Sequence, residues 1–335
     1  MRLLAGLVAP GAFETVLIGD ASLMTRPMER VATPLREMGA DVATRDGHPP
    51  VTILGGELRG IRFEPQVPSA QVKGAVLLAA LEADGTTTVA EFAPTRDHTE
   101  RALGALGAPV RATEAGIVLD GPFQHEGFRG RVPGDPSSAA FVLGAAALNG
   151  DEVALTGVGL NPSRLPFLKV FERMGLDVDV EVEGTVLGEP VGTMHLASAG
   201  RVRPVHVGAG EVPLVIDEVP ILAALAAHAD GPSRFEGVSE LRVKESDRLS
   251  MLAGGIRNLG GLAEEDGEDL VIGGGGLEGG SARSAGDHRI VMALTVAAMA
   301  AEASSEIDGA DRAAVSFPGF FQLLRSLGAD VEEAR

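Results

Sequence analysis

The sequence predicts an α/β protein assembled from copies of one supersecondary unit, and three observations carry that prediction. First, a helix-like run ending in Leu-Gly or Met-Gly recurs five times, as PLREMGADV, ALGALGAPV, VFERMGLDV, GIRNLGGLA and LLRSLGADV. Its glycines, Gly39, Gly107, Gly175, Gly260 and Gly328, follow one another at intervals of 68, 68, 85 and 68 residues. Second, an Ala-rich helix with a polar or charged start recurs between them, at Ser69–Leu81, Ser137–Leu148, Asp217–Ala229 and Asp287–Ala301. Third, a short β-branched stretch such as Thr86–Val89 or Val153–Thr156 follows these helices after a turn of glycine or small residues.

Taken in order, each unit reads helix, strand, loop, helix, glycine cap, strand. Each glycine stands where a helix ends, because it enters the left-handed conformation without a Cβ clash. A strand-like stretch is expected after each. The first unit begins with Arg2–Val8, which has the apolar character of the Ala-rich helix, and Thr15–Ile18 supplies its strand. Its polar leading segment is not in the sequence. Five caps are an awkward number for a closed symmetric arrangement, so the chain is read as short of its first unit.

At 335 residues and 45% hydrophobic, the chain is too long for one ordinary core. Two domains are expected, 1–160 and 161–335, the first incomplete at its N-terminal side and the second with three repeat units. A net charge of −19 argues against a general binder of nucleic acid or acidic membrane. The absence of Cys removes disulfides, thiolate zinc sites and a Cys nucleophile. Without Trp or Tyr, stacking platforms for bases are poorly supplied. The longest apolar runs, such as Ile290–Ala301, are too short to span a bilayer. Met1-Arg2 followed by Leu3–Pro10 faintly resembles a secretion signal, but the apolar part is short and one Arg is a thin leader, so a cytoplasmic chain is expected.

The loops ahead of the second helices carry cations: Arg26, Arg96, Arg164, and Lys244 with Arg248. A helix N-terminus is already positively polarised, so a cation there is unfavourable unless an anion shares the space. The Ala-rich helices also start with free N–H donors, and one carries Arg289 at its start. Helix N-termini with convergent guanidiniums bind phosphate and carboxylate. Each feature also has a plainer account. Lys244–Arg248 reads as a solvated helix face, Asp217-Glu218 and Asp287-His288-Arg289 as helix caps, and Ser137-Ser138 as a helix start. Recurrence at equivalent points of a repeat favours the anion reading.

Other motifs fail. There is no Walker A loop, Gly273–Gly276 reads as a loop rather than a dinucleotide fingerprint, and no GxSxG elbow occurs. The seven His form no HExxH, and no His/Asp/Glu cluster has metal-ligand spacing.

Seven segments together closely resemble 5-enolpyruvylshikimate-3-phosphate (EPSP) synthases: IGDASLMTRPMERV, SAQVK, TRDHTER, VPGDPSS, LRVKESDRL, DHRIVM and VSFPGFF. RVKESDR and SAQVK are the most specific, and IGDASLMTRP leans toward the glyphosate-insensitive bacterial subgroup. The resemblance implies a two-domain enolpyruvyl transferase fold, an inside-out α/β barrel of repeated βαβαββ units, with the active site in the cleft between domains. It implies transfer of the enolpyruvyl group of phosphoenolpyruvate to the 5-hydroxyl of shikimate 3-phosphate with release of phosphate, in the shikimate pathway to chorismate and aromatic amino acids. No metal or organic cofactor is implied, nor any nucleic-acid or membrane partner, and a monomer is expected.

Carried over residue by residue, Ser69, Ala70, Gln71, Arg96 and Ser138 resemble the shikimate 3-phosphate contacts, with Asp217 and Lys244. Arg26, Gln71, Arg248 and Arg289 resemble the phosphoenolpyruvate contacts. Asp217 resembles the base for the 5-hydroxyl and Glu245 the group that handles the methylene carbon, with Lys244 beside them. The family's Lys-Ser…Arg segment and Asn-Ala-Gly-Thr loop are expected to precede Met1, and Val315 stands where some relatives have Lys. The isolated chain is therefore expected to bind shikimate 3-phosphate weakly and to turn over slowly or not at all. Two alternatives are a non-catalytic homologue that binds anionic metabolites and the sister transferase acting on UDP-N-acetylglucosamine. RVKESDR, DHR and the absence of Cys argue against the latter.

Overall fold

A computed structural model describes residues 1–197 and 200–333. It divides into two compact units, Met1–Val132 with Thr185–Glu189, and Pro133–Gly184 with Pro190–Arg335. The first unit contains two copies of the repeat. Helix Arg2–Val8 leads to strand Glu14–Leu17, helix Glu29–Met38 and the hairpin Asp41–Arg45 with His48–Leu54. All three strands form one antiparallel sheet with the third in the middle. Helix Ala70–Ala80 then leads to strand Ala83–Val89, helix His98–Ala105 and the hairpin Val110–Thr113 with Gly116–Gly121.

The two kinds of helix differ because their sequences do. Glu29–Met38 is amphipathic and buries only Val31, Ala32, Pro34, Leu35 and Met38. Ala70–Ala80 is apolar on nearly every face and buries eight of its residues, so it must lie inside. Small side chains let it approach its neighbour: a Cβ on Gly6 of helix Arg2–Val8 would sit 2.0 Å from the Ala75 carbonyl oxygen. The strand hairpins cover the outside of this helical core.

The second unit repeats the plan. Helices Pro136–Asn149, Val219–Ala226 and His288–Met299 pack on one another, and most residues of each are buried. Around them lie helices Pro166–Arg173, Arg248–Asn258 and Phe320–Ser326, with sheets built from Val153–Gly159, Val178–Val186 and Glu189–Leu196, and from His206–Val207, Ser233–Phe235, Asp269–Ile272 and Ala263–Asp266. The expected boundary at 160 thus differs from the observed division at Val132/Pro133. Helix Pro136–Asn149 belongs to the second unit because its apolar surface packs against the other two Ala-rich helices.

The five glycine caps form as the repeat requires. Gly39, Gly107, Gly175, Gly260 and Gly328 all have positive φ, between 81° and 121°. In every copy the residue after the glycine donates its N–H to the carbonyl five positions back, as Ala40 to Leu35, Ala108 to Leu103, Leu176 to Phe171, Gly261 to Ile256 and Ala329 to Leu324. That hydrogen bond satisfies a carbonyl the helix end would leave open, and only a left-handed residue lets the chain turn back to make it. Strands follow the first four caps; residues 330–333 after the fifth form none.

Candidate active site

The sequence-selected residues of the first unit sit at helix starts or in the loops before them. Ser69 caps helix Ala70–Ala80, its Oγ accepting from the Val72 N–H at 3.3 Å, and Ala70 and Gln71 form the first turn. Lys73, one turn further in, is 3% exposed and bridges two carboxylates: its Nζ lies 2.8 Å from Glu91 Oε1 and also pairs with Glu100. Thr95 donates to the same Glu91 oxygen at 2.7 Å. The loop carrying Arg96 is thereby tied to the start of the helix carrying Ser69 and Gln71. Arg26 lies between helices Ala21–Met24 and Glu29–Met38. Arg2 donates to the Pro27 carbonyl at 3.2 Å, and its pKa is lowered by burial and then by repulsion from Arg30 and Arg26. Three guanidiniums thus gather on this side of the first unit.

In the second unit the remaining residues, Ser138 apart, join one network. Arg289, in the first turn of helix His288–Met299, donates from Nη1 to the Asp217 backbone carbonyl at 2.8 Å. Lys244 Nζ lies 4.0 Å from Asp217 Oδ1 and donates to Glu240 at 2.8 Å. Arg248 Nη2 reaches Glu245 Oε2 at 2.5 Å. Among the described residues Arg248 is the largest fully buried side chain, 1% exposed. Its counter-ion is Asp287, equally buried, which accepts from Arg248 Nε at 2.8 Å and from Ser246 Oγ at 3.0 Å through the same oxygen. The other Asp287 oxygen caps the helix, accepting from the Arg289 N–H at 2.9 Å. One carboxylate therefore fixes both Arg248 and the backbone that presents Arg289.

The electrostatics follow from this placement. Burial alone would raise the Asp287 pKa, but the hydrogen bonds and charge of Arg248 outweigh it and hold the carboxyl below its usual range. His288 beside it is pushed down, chiefly by burial. Glu218 is pushed up by burial, against the opposing hydrogen bond from Ser137 and the charge of Arg289.

Of the plain accounts from sequence, some are overturned and two hold, the Asp287 cap and the helix start at Ser137 and Ser138. Lys244–Arg248 is not a solvated helix face: the helix begins only at Arg248, Asp247 caps it, and Arg248 points into the interior. Asp287 does cap a helix, and it also forms a buried ion pair with Arg248. Glu218 stands at a cap position and makes no side-chain capping bond. Arg164 finds its anion within the protein, donating to Asp135 Oδ1 at 2.7 Å and to Ser137 Oγ at 2.6 Å. Ser138 lies in the first turn of helix Pro136–Asn149, with its N–H capped by Asp135 at 3.0 Å. The sequence analysis gives no site role to Lys73, Glu91 or Glu218 and does not pair Arg248 with Asp287. Only Lys73 had a local signal, a lone lysine in an otherwise apolar helix.

Repeated helix–strand modules thus bring Asp217, Lys244, Glu245, Arg248 and Arg289 into one network of cations and carboxylates at their helix starts. The family model described as EPSP synthase (3-phosphoshikimate 1-carboxyvinyltransferase) matches residues 1–324. A 3-phosphoshikimate 1-carboxyvinyltransferase of Halorhodospira halophila is 48% identical over 337 residues, covering 99% of this chain and 76% of that protein. One from Acidithiobacillus ferrooxidans is 46% identical, covering 100% of this chain and 77% of its own. The EPSP synthase structure from Acinetobacter baumannii superposes with a TM-score of 0.91 at 40% identity, covering all of this chain and 78% of that one. The chain belongs to the EPSP synthase family. Its fold is the two-domain α/β fold of those structures, and neither the non-catalytic nor the UDP-N-acetylglucosamine alternative is favoured by these matches. No described helix is long and apolar enough to cross a membrane.

Proposed function

We propose that this chain transfers the enolpyruvyl group of phosphoenolpyruvate to the 5-hydroxyl of shikimate 3-phosphate and releases phosphate. The observation that carries the reading is the second-unit network, in which a carboxylate, Asp217, is flanked by Lys244 and Arg289 and joined through Asp287 to Arg248 and Glu245. Asp217 takes the 5-hydroxyl proton as that oxygen attacks the phosphate-bearing carbon, and Glu245 lends a proton to the methylene carbon. Return of that proton to Glu245 then restores the double bond as phosphate leaves. One base and one acid suffice. The cations lower the cost of bringing two anions together, and fixed geometry supplies much of the remaining rate.

Arg26, Gln71, Arg248 and Arg289 hold phosphoenolpyruvate in this reading, and Ser69, Ala70, Gln71, Arg96, Ser138 and Lys244 hold shikimate 3-phosphate. The chain works as a monomer in the cytoplasm. Phosphate release from phosphoenolpyruvate, measured with and without shikimate 3-phosphate, tests the proposal, and release that needs both substrates is expected. The reading fails if shikimate 3-phosphate does not bind. It also fails if no phosphate is released either by the chain alone or by the chain supplemented with a relative's Lys-Ser…Arg and Asn-Ala-Gly-Thr segment.

A further inference from the structure

Two acidic residues stand side by side at the start of helix Val219–Ala226, and they face different surroundings. The Asp217 carboxylate is a fifth exposed and turns toward Lys244, whereas Glu218 is 3% exposed. A carboxylate removed from water costs several kcal/mol unless it is well paired, so its burial one residue from the proposed base calls for a reason. Capping its own helix is not the reason, because its side chain makes no cap bond. Instead Glu218 Oε1 takes a short hydrogen bond from Ser137 Oγ, 81 positions away in the sequence. Ser137 is 1% exposed and sits in the first turn of helix Pro136–Asn149.

The hydrogen bonds run in one direction. A serine hydroxyl has a single proton, and here it goes to Glu218; the Ser137 oxygen in turn accepts from Arg164 Nη2 at 2.6 Å. The charged groups that act on Glu218 are Arg289 on helix His288–Met299, Arg164 ahead of helix Pro166–Arg173, and Asp217 on its own segment. The neighbours of the two bonded residues are the ones that matter for chemistry: Ser138 follows Ser137, and Asp217 precedes Glu218. The bond therefore lies between a proposed substrate contact and the proposed base. Neither can shift without pulling on the other.

We propose that Glu218 is a positioning residue that locks the Ser138 turn to Asp217 through the Ser137 hydroxyl. Its consequence for substrate binding rests on the function proposed above, but the lock itself does not. Hydrogen exchange of the full chain tests the lock, and calorimetric titration with shikimate 3-phosphate tests the consequence, for E218A, E218Q and S137A.

In E218A and S137A, exchange at the Ser138 and Ala139 amides rises about tenfold and shikimate 3-phosphate affinity falls about tenfold, the factor expected for one lost buried hydrogen bond. E218Q recovers most of both losses, because its amide oxygen still accepts from Ser137. S137A deletes only a hydroxyl and keeps the test open if E218A does not fold. Exchange in S137A that matches the wild type overturns the lock. An E218Q as damaged as E218A also overturns it, since charge rather than the hydrogen bond would then matter. Failure of the wild-type chain to bind shikimate 3-phosphate would count against the proposed function alone, with exchange still deciding the lock.

Discussion

Replacing Asp287 by Ala removes the counter-ion of a guanidinium that has almost no access to water. Arg248 and Asp287 are each 1% exposed, and the pair is joined by Nε to Oδ2 at 2.8 Å and Nη2 to Oδ1 at 3.3 Å. Deleting one partner of such a pair strands the other charge, at a cost of about 3–5 kcal/mol. Glu245 still holds Arg248 Nη2 at 2.5 Å, which favours the lower end. The lost cap of helix His288–Met299 adds about 1 kcal/mol. A total near 4 kcal/mol lowers the melting transition of a unit this size by about 8–16 °C.

Differential scanning calorimetry of wild type, D287A and D287N at pH 7 reads this directly. D287N loses less than D287A, because its carbonyl oxygen still caps the helix. The pH dependence has a definite sign. The folded carboxyl binds its proton more weakly than the unfolded one, so its stabilisation is complete above about pH 3.9, the unfolded value. It is lost as pH falls through the lower folded value. The gap between wild type and D287N therefore narrows in acid. A D287A loss below about 1 kcal/mol would mean instead that water reaches Arg248 and replaces its partner, and that the pair is not the buried one described.

Three other outcomes follow from the same structure. D217N keeps the shape of the side chain but cannot take the 5-hydroxyl proton, so phosphate release falls by about 10²–10⁴-fold with substrate binding retained, as read by parallel kinetics and calorimetry. Gly107→Ala tests the cap alone: φ is +87° and the nearest atom to a new Cβ is 3.9 Å away, so thermal unfolding should show a loss of about 1–2 kcal/mol from backbone strain without a clash. Gly6→Ala places a methyl group 2.0 Å from the Ala75 carbonyl oxygen, and overpacking should destabilise the first unit by about 3 kcal/mol or more, visible as faster exchange in helix Ala70–Ala80.

Local rules wrote much of this fold legibly. The sequence places a helix over Ser69–Leu81, and Ala70–Ala80 forms with Ser69 as its cap; Asp287–Ala301 becomes His288–Met299 with Asp287 as its cap. The five glycines declare themselves because a Leu/Met-Gly ending fixes a turn within six residues. The boundary was harder to place, since helix Pro136–Asn149 resembles its counterparts in both units and only its packing decides its membership. The site divides along the same line. Arg248 and Arg289 stand out because they lie beside helix starts in repeated positions, whereas Asp217 and Glu245 take their roles from the resemblance of their segments. The couplings do not stand out, because Arg248 meets Asp287 across 39 residues and Ser137 meets Glu218 across 81, distances that no local pattern encodes. Arg164 shows the converse: a cation ahead of a helix does call for an anion, but here Asp135 supplies it.

The most direct test of the account is a crystal structure of the chain with shikimate 3-phosphate and phosphoenolpyruvate bound. The 5-hydroxyl is expected on the Asp217 carboxylate and the phosphoenolpyruvate anion on the guanidiniums of Arg248 and Arg289. Ligands seated elsewhere, with those three side chains paired only to protein, would contradict it.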